Sequence, residues 1–138
     1  MDRPFFSNRM RGKDMDIRKA SATDMPAILK LIGAYPDELM QDNLPPADAF
    51  FIAIENEEIV GCCALEIYSK RLAEVRSLAV RKDFQHKGIA KQLIRACTAQ
   101  AKENAVYELF CITGNPDFFE KQGFGSFKKE KYALIKIL

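Results

Sequence analysis

The stretch from residue 73 to residue 93, AEVRSLAVRKDFQHKGIAKQL, constrains the fold more than any other part of the sequence. Residues 72–80 have the apolar character of a strand. Apolar residues then recur at helical spacing from Gly88 onward, with Ile89, Leu93 and Cys97 on one stripe. A strand that leads through a short loop into an amphipathic helix predicts an α/β domain in which the helix packs on a sheet.

The same periodicities predict further elements on both sides of this unit. Residues 21–24 have the pattern of a capping box and begin a first helix. Asn115, Pro116 and Gly123 suit the N-cap, the first turn and the C-terminal end of a last short helix. Residues 36–48 contain three prolines and four acidic residues, which predicts a loop. The predicted strands cover residues 16–20, 50–55, 59–68, 72–80, 107–113, 124–129 and 132–137. Together these elements predict an α/β plan with a mixed sheet of about seven strands.

Chain length and charge limit the organisation of the protein and the class of its partners. At 138 residues the chain is one domain, which we expect to begin at Met15 and to span residues 15–138. Residues 1–14 are polar, basic and aperiodic, which predicts a disordered basic arm. The arm accounts for the net charge of +2, so the domain lacks the basic surface of a nucleic-acid binder. The longest apolar run, residues 49–54, is too short to span a membrane.

The cysteines and the single histidine indicate a reducing compartment rather than a metal site. Cys62 and Cys63 are adjacent, so they point to opposite faces of a strand, and the sequence has no C-x-x-C pair. Because His86 is the only histidine, a zinc site of three or four nitrogen and sulfur ligands is not expected. We therefore expect buried free thiols in the cytoplasm, no metal, and no nucleic-acid or membrane partner.

The loop before the second helix has the features of an anion site. The start of a helix presents unpaired N–H groups and the positive end of the helix dipole. Gly88 lets the backbone approach a ligand closely, and Ala90 keeps the next turn slim. Positive charge surrounds this place, on Arg81, Lys82, Lys87 and Lys91. The segment predicts a pyrophosphate cradle, and the alternative is a plain strand-to-helix turn with a solvated basic rim.

Residues 73–93 resemble motif A of the GNAT superfamily of N-acetyltransferases. The family signature R/Q-x-x-G-x-G/A, after a strand of the form x-E-x-x-x-L-x-V, is matched by Gln85, Gly88, Ala90, Glu74, Leu78 and Val80. Residues 115–124 look like the second signature, F-Y-x-x-x-G-F, and residues 16–24 fit the opening strand and helix. Within the superfamily the chain is most similar to the acetyltransferase domain of N-acetylglutamate synthases and their small stand-alone relatives. The resemblance implies a single-domain GNAT-like fold, α/β (α+β), with a mostly antiparallel sheet and about four flanking helices.

The resemblance also implies an enzyme that transfers the acetyl group of acetyl-CoA to a primary amine by direct attack on the thioester. The N–H groups around Leu78, Ala79 and Val80 are then expected to hold the thioester carbonyl and the pantetheine arm. The pyrophosphate is expected to lie against Gln85, His86, Lys87, Gly88, Ile89, Ala90 and Lys91. Asn115, Phe118 and Phe119 complete the expected cofactor-binding set. The acceptor is expected to be a small glutamate-like amine, and a homodimer is one assembly to be considered.

Glu74 matches the family position of the general base that takes a proton from the acceptor ammonium. The alternative is a strand-edge glutamate paired with Arg76 or Lys70. Arg18 matches a position that the family occupies with arginine, and Arg76 lies two residues from Glu74 on the same strand face. Either arginine is therefore expected to bind an acceptor carboxylate. The acidic loop of residues 36–48 instead favours a cationic acceptor, such as a polyamine or a lysine-rich peptide.

The chain departs from the family at Phe119, where relatives usually have a tyrosine that protonates the departing CoA thiolate. Phe118 and Phe119 have the alternative role of core residues. Tyr107, Tyr132 and water remain as proton donors, although a thiolate is already a fair leaving group. The departure also permits an alternative function, a non-catalytic domain that binds acyl-CoA as a sensor or interaction module.

Overall fold

Five strands form one mixed sheet in the computed structural model, which describes residues 15–126 and 134–138. The strands are β1 (Asp16–Lys19), β2 (Phe50–Glu55), β3 (Glu58–Ile67), β4 (Leu72–Val80) and β5 (Glu108–Phe110). They lie side by side in chain order, antiparallel from β1 to β4, and β5 runs parallel to β4. The α-helices of the same residues are α1 (Met25–Gly33), α2 (Ile89–Glu103) and α3 (Pro116–Lys121). The expected mixed, mostly antiparallel α/β domain is confirmed.

Helices α1 and α2 cover opposite faces of the sheet. Because side chains alternate along a strand, Cys63 faces the core under α2, whereas Cys62 faces the core under α1. Leu93 of α2 and Ile28 of α1 are fully buried in these two cores. Burial of one such side chain contributes about 1.5–3 kcal/mol, so the two cores fix both helices on the sheet.

Local sequence signals explain where the elements begin and end. The β2–β3 turn has left-handed backbone at Asn56 (φ 52°) and Glu57 (φ 66°), the conformation of a two-residue hairpin turn. Asn115 Oδ1 accepts a hydrogen bond from the N–H of Phe118 at 3.4 Å and caps α3, and Pro116 occupies the first turn. The predicted hairpin and the predicted cap of the last helix are confirmed.

In residues 15–126 and 134–138, the strand and helix counts differ from the prediction of about seven strands and about four helices. The expected strand at residues 107–113 is limited to β5. Residues 124–126 and 134–138 belong to no strand, and the apolar side chains of residues 134–138 are exposed rather than packed against a neighbouring strand. In place of a fourth helix, the prolines of residues 36–48 leave a loop with a short 3-10 turn at Ala47–Ala49.

Two predictions fall partly or wholly outside the described residues. The basic arm lies in residues 1–14, and the remaining parts of the two last predicted strands lie in residues 127–133. Among the residues that are described, no helix is long and apolar enough to cross a membrane.

Candidate active site

The edge of β4 loses its neighbour after the first third of the strand. β5 pairs with β4 only as far as the Glu74–Phe110 pair, and β4 continues to Val80. The described part of the chain after β5, residues 111–126 and 134–138, contains no strand. β4 therefore has an open edge beyond Glu74 within the residues that the structure describes.

A β-bulge lies in the open part of β4. Cys62 pairs with Ala79 and Ala64 pairs with Arg76, so two residues of β4, Ser77 and Leu78, oppose the single residue between them on β3. Ser77 has left-handed backbone (φ 58°), and its carbonyl accepts a hydrogen bond from the Cys62 thiol at 3.5 Å. A bulge bends a strand and re-aims its side chains. It therefore gives β4 a different direction on the two sides of Ser77.

Backbone N–H groups of β4 point to the open edge. The N–H of Arg81 donates to the carbonyl of Val60 on β3 at 2.8 Å. Since successive strand residues direct their N–H groups to opposite sides, those of Val80 and Leu78 point away from β3. An extended ligand lying along this edge can accept hydrogen bonds from them as an added strand does.

The loop between β4 and α2 has the backbone conformation of an anion cradle. His86 (φ 65°) and Gly88 (φ 86°) are both left-handed, a feature of backbone concavities that bind anions. A Cβ built on Gly88 would meet nothing within 4 Å, so the space in front of it is open. The first helical hydrogen bond of α2 is from Gln92 N to Gly88 O at 3.1 Å. The N–H groups of Ile89, Ala90 and Lys91 therefore precede the helical ladder. This arrangement fits a pyrophosphate group.

The Gln85 side chain holds this loop in place. Its Nε2 donates to the Tyr35 hydroxyl at 2.9 Å and to the Val80 carbonyl at 3.1 Å. The Tyr35 hydroxyl donates to the same carbonyl at 2.6 Å. Because the amide group of Gln85 is bound within the protein, the contribution of Gln85 to a phosphate site is its backbone and the position of the loop.

The basic rim of the loop is only partly available to a ligand. Arg81 forms ion pairs with Glu58 at 3.0 Å and Asp83 at 2.8 Å, so its charge is balanced. Lys87 Nζ lies 5.0 Å from the centre of the Phe84 ring and has no carboxylate partner among the described side chains. The cations left for an anion are the lysines of the loop and the helix start, Lys82, Lys87 and Lys91.

Glu74 lies on the α1 face of the sheet, where β5 leaves β4. It is the last residue of β4 that pairs with β5, and its partner on β3 is Glu66. Its Oε1 accepts a hydrogen bond from the Tyr68 hydroxyl at 2.6 Å. The alternative was that Glu74 is paired with Arg76 or Lys70. Among the ion pairs and hydrogen bonds of the described residues, neither of these side chains contacts the Glu74 carboxylate.

The two arginines expected to bind an acceptor carboxylate are in different places. Arg76 shares the face of Glu74, donates to Glu66 Oε1 at 2.8 Å and donates to the Asn43 carbonyl at 3.0 Å. Arg18 lies on β1, three strands away at about 4.8 Å per strand, and forms an ion pair with Asp24 at 3.1 Å. The structure therefore brings Arg76, and not Arg18, to the region of Glu74.

Asn115 and the two phenylalanines of α3 have structural roles. Phe119 is buried in the core under α2 and meets Phe118 and Phe124 edge to face, with ring centres 5.0 Å and 5.5 Å apart. Asn115 is the N-cap of the helix that carries them. Both rings therefore pack in or against the core, which is the alternative role considered for Phe118 and Phe119.

The tyrosines proposed as proton donors lie away from Glu74 or outside the description. Tyr107 is 74% exposed, and its N–H bonds to Lys70 at the start of β4. Tyr132 belongs to the residues that are not described. The tyrosine that does contact Glu74 is Tyr68, which sequence reasoning missed. The usable signal was the hairpin after β3, which sets residue 66 across from residue 74 and brings residue 68 to the same face.

The thiols are reduced and mostly buried. Cys62, Cys63 and Cys97 are free and buried, and Cys111 is free and half-buried. Burial raises the pKa of Cys62 to about 12, and burial and then the charge of Glu74 raise the pKa of Cys111. Among the described residues, no group of three or more His, Cys, Asp or Glu side chains could hold a metal ion.

An open strand edge beside an anion cradle fits an extended ligand that ends in a pyrophosphate, and the Glu74 carboxylate lies where the two strands separate. Residues 46–125 match the family model described as an acetyltransferase (GNAT) domain. An uncharacterized N-acetyltransferase of Chlorobaculum tepidum is 33% identical over 129 residues, which cover 89% of this chain and 83% of that protein. An amino-acid acetyltransferase of Mycobacterium tuberculosis is 28% identical over 116 residues, covering 78% of this chain and 67% of that protein.

Two solved structures have the same fold. Rv2747 of Mycobacterium tuberculosis, in complex with CoA and NLQ, has a TM-score of 0.76 and 27% identity, covering 81% of this chain and 72% of its own. N-acetylglutamate synthase of Neisseria gonorrhoeae, complexed with coenzyme A and N-acetyl-glutamate, has a TM-score of 0.77 and 22% identity, covering 86% of this chain and 30% of its own.

The chain belongs to the GNAT family of acetyltransferases. It is an acetyl-CoA-dependent N-acetyltransferase, as the sequence motifs implied.

Proposed function

We propose that the protein transfers the acetyl group of acetyl-CoA to the α-amine of a small, glutamate-like amino acid, with Glu74 as the general base. The observation that carries this proposal is the position of the Glu74 carboxylate at the point where β5 leaves β4. Both reactants can meet there, the thioester along the open edge of β4 and the amine from the α1 face. Relatives described as amino-acid acetyltransferases support the choice of acceptor.

The donor binds along the open edge of β4 and at the start of α2. The N–H groups of Leu78 and Val80 hold the pantetheine arm and polarise the thioester carbonyl. The N–H groups at the start of α2 hold the pyrophosphate in front of Gly88, where the space is open. Removal of one donor to a developing oxyanion typically costs about 10²–10³ in rate. Of the contacts to the donor, the one to the thioester carbonyl is therefore the one that accelerates the reaction.

The reaction proceeds in a ternary complex. The acceptor arrives as an ammonium, and Glu74 takes its proton directly or through a water molecule. The amine then forms a C–N bond to the thioester carbonyl carbon. Collapse of the tetrahedral intermediate breaks the C–S bond, and the nitrogen releases its second proton to water. CoA leaves as a thiolate and takes a proton from water, since a thiolate with a free pKa of about 8.5 is a fair leaving group. Phe119, which has no proton to donate, is compatible with this route.

Arg76 is the proposed partner of the acceptor carboxylate. It lies on the face of Glu74, and a guanidinium can bind a carboxylate through two N–H groups. Its partner within the protein is Glu66, so an acceptor carboxylate must exchange with Glu66.

A cationic acceptor is the second candidate. The acidic loop of residues 36–48 reaches the face of Glu74, because the Asn43 carbonyl bonds to Arg76 there. Together with Glu66 and Glu74, this loop attracts a polyamine or a lysine-rich peptide. The third candidate is a different function, a non-catalytic acyl-CoA sensor. It requires that bound acetyl-CoA is never turned over.

We also propose that the catalytic domain spans residues 15–138, after a basic arm of residues 1–14, and that the protein works in the cytoplasm. Four free cysteines, three of them buried, support a reducing compartment.

The test is release of free CoA thiol from acetyl-CoA in the presence of single acceptors: L-glutamate, other amino acids, polyamines and lysine-rich peptides. We expect turnover with an amino acid at millimolar concentration and its N-acetyl derivative by mass spectrometry. Turnover of polyamines or peptides alone would overturn the amino-acid assignment. Tight acetyl-CoA binding without turnover of any acceptor would favour the sensor.

A further inference from the structure

Tyr68 connects Glu74 to both strands that flank β4. Its hydroxyl lies 2.6 Å from Glu74 Oε1 and 3.4 Å from Glu66 Oε1. Its ring stacks on Phe110 of β5, with ring centres 6.3 Å apart and planes at 27°. The phenol is therefore fixed at two points, the ring on β5 and the hydroxyl on the carboxylate of β4.

The other polar groups around Glu74 do not hold its carboxylate. Arg76, on the same strand, is bound to Glu66 of β3. Cys111, just after β5, has a raised pKa and stays a neutral thiol in the ordinary pH range. Burial and then the bond to Glu74 raise the pKa of Tyr68 far above its ordinary value, so the phenol remains a donor throughout the working pH range. Among the described residues, Tyr68 is thus the side chain that donates to Glu74.

We propose that Tyr68 is a positioning residue for the general base: its hydroxyl holds the Glu74 carboxylate in a fixed direction toward the acceptor amine. This inference rests on the proposed role of Glu74. The single proton of the Tyr68 hydroxyl is donated to Glu74 Oε1, so it is not free to protonate the departing thiolate. Its action is on the base and not on the leaving group.

The test is Tyr68→Phe, which keeps the ring on Phe110 and removes the hydroxyl. We expect kcat to fall about three- to tenfold with unchanged acetyl-CoA affinity. The loss should fall on kcat and leave KM for the acceptor unchanged, because Tyr68 acts on the base. Tyr107→Phe is the matched control, since that ring is 74% exposed and lies against Arg71. Its kcat should equal that of the unmodified protein.

Combination with Glu74→Gln separates the possible failures. If Tyr68 acts through Glu74, then Tyr68→Phe has no further effect on kcat in the Glu74→Gln protein. A Tyr68→Phe protein with an unchanged kcat, while Glu74→Gln is impaired, overturns the role of Tyr68 alone. Full activity of Glu74→Gln overturns the role of Glu74 and, with it, this inference.

Discussion

Arg76 lies on the same sheet face as Glu74, but it is already bound within the protein. Its side chain is 17% exposed and donates to Glu66 and to the Asn43 carbonyl. An acceptor carboxylate can bind both terminal nitrogens of Arg76 only by taking the places of Glu66 and the Asn43 carbonyl. Glu66 is therefore a competitor of an acidic acceptor, and it would be an attractive partner for a cationic one.

Glu66→Gln distinguishes these two roles. Loss of the competing charge should lower KM for an amino-acid acceptor several-fold and leave the acetyl-CoA affinity unchanged. Initial rates at varied acceptor concentration measure this effect. Glu58→Gln is the control, because it also removes an arginine ion pair, with Arg81, but on the cofactor side of the molecule. A rise in KM for the acceptor would show that the site selects a cation instead.

At the scale of residues, the sequence could predict Glu74 but not its surroundings. Glu74 stands at a fixed offset from Leu78 and Val80 in a recognisable strand, so its position follows from local spacing. The contact with Tyr68 depends on the register between β3 and β4, which the geometry of the turn between them sets together with the alternation of apolar residues.

The loop and the start of α2 act as one element because the backbone, not side chains, forms the cradle. Gly88 is the N-cap of α2 and provides no side-chain cap, so the first helical N–H groups stay available to a ligand. Its φ of 86° also suits glycine. Both properties make this position sensitive to any side chain.

Gly88→Trp should abolish acetyl-CoA binding, since the indole would occupy the open space in front of Gly88. Backbone strain alone costs about 1–2 kcal/mol in the left-handed region and must be separated from this effect. Gly123→Trp is the matched control, because Gly123 also has a left-handed φ of 97° and open space around it. Calorimetry should show binding by the control variant. Undiminished affinity in a folded Gly88→Trp protein would exclude the cradle.

At the scale of elements, locally encoded features were predictable and those set by distant partners were not. The β4–loop–α2 unit and the cap of α3 follow from short patterns in the sequence. The bulge at Ser77 has no such signal, because serine is not a residue that usually takes a positive φ. The end of β5 at Phe110 depends on where its neighbour β4 diverges. Residues 111–113 have the composition of a strand, so the sequence did not predict this end.

Buried thiols connect the core to the bulge and make the whole fold sensitive to alkali. Cys62 and Cys63 donate to the carbonyls of Ser77 and Arg76 at 3.5 Å and 3.7 Å. Burial raises the pKa of Cys62 from 9.0 to about 12. Because the folded state holds this proton more tightly than the unfolded state, the stabilisation is complete below pH 9 and is lost as the pH rises from 9 toward 12.

The free energy of unfolding should therefore fall above pH 9 by up to about 1.4 kcal/mol per pH unit for this thiol. Urea unfolding between pH 8 and about pH 10.5 measures the slope. Cys62→Ala should remove the contribution of this thiol to the slope of the free energy of unfolding against pH. Cys111→Ala, at a half-buried site, should reduce the slope less. Equal slopes in the unmodified protein and Cys62→Ala would contradict this account.

In the proposed reaction the donor lies along the open edge of β4 and the acceptor on the α1 face of the sheet, so that Glu74 lies where the two meet. The chemistry depends on whether this carboxylate takes the proton of the acceptor. A variant that keeps the shape and removes the charge, Glu74→Gln, isolates that step.

The most direct measurement is the pH dependence of CoA release by Glu74→Gln and by the unmodified protein with the same amino-acid acceptor. At neutral pH we expect kcat of Glu74→Gln to be at least about tenfold lower, with acetyl-CoA affinity unchanged. The deficit should shrink at high pH, because the amine then loses its proton without help. An equal rate at neutral pH, or a deficit that stays constant as the pH rises, would contradict the assignment of Glu74 as the base.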